Sequence, residues 1–130
     1  MPFEVIKGPD LPGNKLPFSP AVRAGGFVFV SGQASVDDAG NLVLDTFEKE
    51  MRRTMDNISR ILAAARLTLR DVVQVRGYLK EQSDWDEYNR LYREYFSEPF
   101  PARTTIVKCL GNVKVEIDCV AYAGDGGAAR

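Results

Sequence analysis

The stretch Phe27-Val28-Phe29-Val30 is apolar at every position. Side chains of a β-strand point alternately to its two faces, so a strand of this composition asks for burial on both. Gly25-Gly26 precedes it and Ser31-Gly32-Gln33 follows it. A Gly-Gly pair between this strand and the short apolar run Ala21–Ala24 reads as a hairpin turn. The strand is therefore one half of a hairpin, and whatever covers its second face must come from elsewhere.

Working outward, residues 3–7 form a short strand candidate, and residues 8–17 read as a loop rich in Pro and Gly. Residues 37–41, Asp-Asp-Ala-Gly-Asn, mark a second turn. A helix is expected from Asp45, with Asp45 as cap and Glu48 completing a capping box. Phe47, Met51, Met55, Ile58 and Leu62 recur along it at helical spacing. Glu48–Arg52 and Asp56–Arg60 form i,i+4 pairs on its other side, and it frays by about Leu67. Val72–Leu79 is a strand. A second helix spans residues 85–96, capped by Ser83 or Asp84 and stopped by Pro99 and Pro101. Residues 103–108 and 113–122 read as a final hairpin turning at Gly111-Asn112. Two amphipathic helices cover one face of a single mixed sheet, which makes an α+β domain over residues 1–123. Residues 124–130 are small and polar, the composition of a flexible tail. The second face of the Phe27 strand is then left open; either the sheet closes on itself or it packs against other subunits, and with so few strands the second is expected.

Composition narrows the function classes. The chain has 130 residues, 17 Lys+Arg, 18 Asp+Glu and no histidine. With no basic block, nucleic acid is not an expected partner. No apolar run approaches the ~20 residues of a membrane span, and the first residues lack the pattern of a signal peptide. A cytoplasmic protein is expected, with no membrane partner. Without histidine most zinc sites and every His-based triad are excluded, so no metal and no cofactor are expected. Cys109 and Cys119 are read as reduced packing residues.

The last strand carries the first chemical candidate. Its odd positions, Val113 to Ala121, are apolar, whereas Lys114, Glu116 and Asp118 are charged. Alternation puts Glu116 on the face away from the helices. It is either an exposed strand residue or, if that face is a subunit contact, a partly buried carboxylate able to handle protons or position water. Arg103 and Thr105 share one face of the preceding strand. Arg103 is either half of a salt bridge or a fork for a carboxylate. At Ser31-Gly32-Gln33 the glycine lets another group approach the backbone. Trp85, Tyr88, Tyr92, Tyr95 and Phe96 crowd one short helix and read mostly as packing.

Taken in order, the segments are Pro17-Phe18-Ser19-Pro20-Ala21-Val22, Phe29-Val30-Ser31-Gly32-Gln33, Asn57 and Trp85 with Asn89, Tyr92, Tyr95 and Phe96. Pro101-Ala102-Arg103 and Val115-Glu116-Ile117 complete the set. Together they resemble the Rid (reactive intermediate deaminase) family, also called the YjgF family, over nearly the whole chain. The resemblance implies a chorismate-mutase-like fold and a homotrimer with pockets between subunits. It also implies metal-free hydrolysis of 2-imino or 2-enamino acids to 2-keto acids and ammonia, as by a 2-iminobutanoate/2-iminopropanoate deaminase. The family's carboxylate-binding arginine falls on Arg103, its water-placing acid on Glu116, its pocket serine on Ser31, and the aromatic given by a neighbouring subunit on Trp85. Two positions depart from the common pattern: Thr105 stands where many members have cysteine, and Ala21 where many have a pocket tyrosine, which would enlarge the pocket. Two other functions fit the same residues. One is a dedicated pathway deaminase of an aminomuconate-like ring-cleavage product; the other is a non-catalytic trimer that binds small carboxylates as a sensor or chaperone.

Overall fold

In a computed structural model, residues 2–8, 11 and 16–124 are described. Parts of the expected 8–17 loop, and residues 125–130 of the expected tail, lie outside them. The elements are β1 (Glu4–Val5), β2 (Ala21–Ala24), β3 (Phe27–Gln33), α1 (Phe47–Ala64), β4 (Val72–Leu79), α2 (Trp85–Tyr95), β5 (Ala102–Val107) and β6 (Val115–Tyr122). The six strands make one sheet in the order β1-β2-β3-β6-β4-β5. Only β4 and β5 run parallel; the other neighbours are antiparallel. Both helices lie on one face, as the two amphipathic patterns require.

The core lies between sheet and helices. Val28, Val30, Val75, Leu79, Val115 and Ile117 face Met51, Met55, Ile58 and Leu91 across it, all of them buried. On β3 the even positions go inward, while Phe27 and Phe29 remain 41% and 44% exposed on the opposite face. The strand that is apolar at every position thus leaves half of its apolar side chains uncovered in one chain.

Three local expectations are corrected. The final hairpin does not form, because β4 lies between β5 and β6 and pairs with both. The chain after β5 arches over the end of β4, where Leu79 C=O accepts from Lys108 N–H and Lys114 C=O accepts from Lys80 N–H. A parallel β4–β5 pair needs a crossover, and α2 supplies it. At the start of α1 the cap is Thr46, whose hydroxyl accepts the Lys49 N–H, rather than Asp45. Glu48 turns instead to Arg52 at 2.8 Å. Arg60 pairs with Asp38 at 2.7 Å and with Asn57, leaving Asp56 to solvent. The helix ends at Ala64 through paired bonds from Arg66 N–H to Ala63 C=O and Leu67 N–H to Leu62 C=O, with Arg66 at φ 64°. That is a Schellman-type cap made without glycine.

Candidate active site

Glu116 projects from β6 on the open face of the sheet. Its inward neighbours Val115 and Ile117 are buried against the helices, while Glu116 itself is partly buried. A methyl group built on Gly32 would lie 2.6 Å from Glu116 Oε2. The carboxylate therefore rests on the backbone of β3 at a place only glycine leaves open. β3 shifts register against β6 between Val30 and Gln33, which re-aims Ser31 and Gly32. Ser31 Oγ donates to Ser19 C=O at 2.6 Å, so its free lone pairs are what it offers to a ligand. A cavity of about 330 Å³ opens beside it, lined by Phe3, Ser19, Val22, Phe29, Val30 and Ser31.

Burial, and then the nearby Asp118 charge, push the Glu116 carboxyl above the usual carboxylate range. Asp118 is itself held by Arg76 at 2.8 Å and by the Tyr78 hydroxyl at 3.0 Å. Tyr78 is the cross-strand partner of Glu116. One acid is thus tied by two donors, while burial raises its neighbour.

Arg103 lies elsewhere. It pairs in register with Val75, which is fully buried under the helices, and Thr105 pairs with Gly77 on the same face. The Arg103 guanidinium carbon sits 4.8 Å from the ring centre of Tyr92, 5.1 Å from that of Tyr88 and 5.7 Å from that of Trp85. Among the described residues no carboxylate pairs with it. Around it, the hydroxyls of Tyr88 and Thr105 are buried against each other, and the Tyr92 hydroxyl is buried without a hydrogen-bond partner among the described residues. Burial raises the Tyr88 phenol and pushes Tyr92 up to about 12, so both stay protonated.

The residues implied by sequence therefore fall into two groups within one chain. Ser31 and Glu116 share the open face; Arg103, Thr105 and Trp85 share the helix face at the β5 edge. Trp85 belongs with the Arg103 of its own chain. Ala21 does not enlarge a pocket: it is 1% exposed, pairs with Val30 and points into the core. Cys119 is a core residue, and burial pushes its thiol up to about 12. Cys109, expected to pack, is exposed because it lies on the arch after β5. Tyr88 and Tyr92, which read mostly as packing in the sequence, join Arg103 through their i+3 and i+7 spacing from Trp85, whereas Gly77 carries no local sequence signal. Among the described residues no group of three or more His, Cys, Asp or Glu could hold a metal ion, and no helix is long and apolar enough to cross a membrane.

A profile of the family described as "Endoribonuclease L-PSP" matches residues 10–123. A solved Yersinia pestis structure described as a protein of unknown function of the conserved Rid protein family superposes with a TM-score of 0.85 at 30% identity, covering 92% of this chain and 98% of that one. The chain belongs to the Rid family. A RutC family protein of Pyrococcus horikoshii is 37% identical over 122 residues, 92% of this chain and 97% of its own length. A relative from Dermatophagoides farinae named 2-iminobutanoate/2-iminopropanoate deaminase is 30% identical, over 92% of this chain and 95% of its own. Within this Rid chain, a guanidinium set among aromatic rings and a partly buried carboxyl lie on different faces of the sheet.

Proposed function

We propose that this Rid protein is a metal-free deaminase. It hydrolyses 2-imino or 2-enamino acids to 2-keto acids and ammonia in the cytoplasm, at sites assembled between the subunits of a homotrimer. The observation that carries the reading is Arg103, a guanidinium framed by three aromatic rings and paired with no carboxylate among the described residues. An unpaired, partly desolvated fork suits a substrate carboxylate. The open face with Phe27 and Phe29 supplies the surface on which a second copy brings up Ser31 and Glu116. The deaminase name of a relative at 30% identity supports the same chemistry.

Arg103 holds the substrate carboxylate, and Thr105 and Trp85 shape the space beside it. Glu116 takes one proton from a water whose oxygen bonds to the imine carbon, and the C=N electron pair moves to nitrogen. Glu116 passes its proton to that nitrogen, giving a carbinolamine. The carbinolamine O–H proton then follows through Glu116 to nitrogen as the C–N bond breaks, leaving 2-keto acid and ammonia. No covalent nucleophile is required, so threonine at position 105 is compatible with turnover. The test is a coupled deamination assay with 2-imino acids generated in situ, across side chains of increasing size. Turnover above the spontaneous rate is expected. Binding of 2-keto acids through Arg103 with no acceleration would favour a carboxylate-binding trimer instead.

A further inference from the structure

We infer that the aromatic face of α2 is the device that positions Arg103, with Tyr88 at its centre and Gly77 as the gap that admits it. This rests on the reading of Arg103 as the substrate-carboxylate anchor. Trp85, Tyr88 and Tyr92 follow one another at i, i+3 and i+7, so they share one face of the helix. All three rings lie within 6 Å of the Arg103 guanidinium carbon. Ring faces attract a guanidinium through its charge without occupying its in-plane N–H donors. The fork is thus fixed in direction while its donors remain available, which a protein carboxylate at the same place would not allow.

Tyr88 sets the depth of this floor. It is fully buried, and its hydroxyl is pressed against the backbone of β4 at Gly77. A methyl group at Gly77 would overlap that hydroxyl and lie 2.9 Å from the ring carbon that bears it. Gly77 is paired with Thr105, two residues along β5 from Arg103. Any side chain at Gly77 would displace the ring from this seat. The buried hydroxyls of Tyr88 and Thr105 meet at this place. Tyr88 is a positioning residue in this account: it touches Arg103, not the substrate.

The experiment compares Tyr88→Leu, Tyr88→Phe, Gly77→Ala and the Gly77→Ala/Tyr88→Leu double variant, with Arg103→Ala as control. Deamination kinetics are read together with calorimetric binding of 2-oxobutanoate. Tyr88→Leu should raise KM and weaken 2-oxobutanoate binding roughly tenfold, the scale of one lost ring contact to a guanidinium. Its kcat should stay within about twofold, because the carboxylate contact is made in ground and transition states alike. Tyr88→Phe keeps the ring and should restore KM. Gly77→Ala should reproduce the KM rise in the wild-type background and add little to Tyr88→Leu. A further readout needs no variant at Tyr88: the Arg103 Nε–H proton resonance of ligand-free wild type, assigned by its loss in Arg103→Lys, should be shifted upfield by the ring currents. An unshifted resonance, or unchanged KM and binding in a folded Tyr88→Leu protein, overturns the inference. If Arg103→Ala still abolishes binding in that case, the deaminase reading survives. If Arg103→Ala binds and turns over like wild type, both fall.

Discussion

Arg103 and Glu116 lie on opposite faces of the same sheet. Arg103 is in register with Val75, and Val75 with Cys119, so these three point toward the helices. Glu116, an odd number of residues from Cys119 on β6, points the other way, next to Tyr78. No side-chain rotation carries either through the sheet. The proposed site therefore requires that the β5 edge of one chain approach the open face of another.

Arg103→Ala is expected to weaken transition-state binding by roughly 2–5 kcal/mol, the range for truncating a desolvated charge contact. Lysine should rescue poorly, since it has no planar fork. Steady-state kinetics on a folded variant check this, and wild-type kcat/KM in Arg103→Ala would place the anchor elsewhere.

The acidic limb of the pH profile should report Glu116. Its carboxyl is raised by burial and then by Asp118. As the proton acceptor it works ionised, so activity falls as pH drops through its raised pKa. Asp118→Asn removes one of the two raising influences and frees Arg76, and both effects favour the ionised form. The limb should therefore move to lower pH. A limb that stays put or moves up would remove Glu116 from that role. Glu116→Gln should lower turnover while leaving 2-keto acid binding nearly unchanged.

The helices, the β2–β3 hairpin and the alternation of β6 are legible in the sequence because each is a local pattern of period 3.6 or 2. The position of β5 is not. Residues 103–108 and 113–122 are close in the chain, and a hairpin is the local solution. The parallel β4–β5 pair is a choice made by α2 packing, which no local pattern encodes. The same insertion separates Arg103 from Glu116. Glycine at position 32 could be read as a close approach, and the Glu116 carboxylate is what approaches it. Gly77 and Tyr88 are 11 residues apart and on different elements, so their contact emerges only with the fold.

Thiol chemistry should be dispensable. Burial pushes the Cys119 thiol up to about 12, and Cys109 lies exposed on the arch. Alkylating Cys109, or adding a chelator, should leave turnover intact. Loss of activity to the chelator alone would contradict the mechanism.

Glu50 should matter for stability. It is fully buried, and its oxygens accept the Asp45 N–H at 3.0 Å, the Lys114 N–H at 2.9 Å and the Lys114 ammonium at 3.3 Å. It ties the start of α1 to the start of β6. Glu50→Ala strands these donors and should cost roughly 2–4 kcal/mol. Urea unfolding at fixed protein concentration reads the loss, and an unchanged midpoint would mean that these contacts contribute nothing net.

The central claim, a site shared between subunits, is tested most directly by mixing two inactive variants. Arg103→Ala and Glu116→Gln are co-expressed and the mixed oligomers isolated, their mass confirmed as a trimer by light scattering. In a cyclic trimer that holds both variants, one site of the three receives Arg103 from one subunit and Glu116 from its neighbour, so about a third of wild-type activity should return. Activity no higher than the mean of the two parent variants, in oligomers shown to be mixed, would contradict the account.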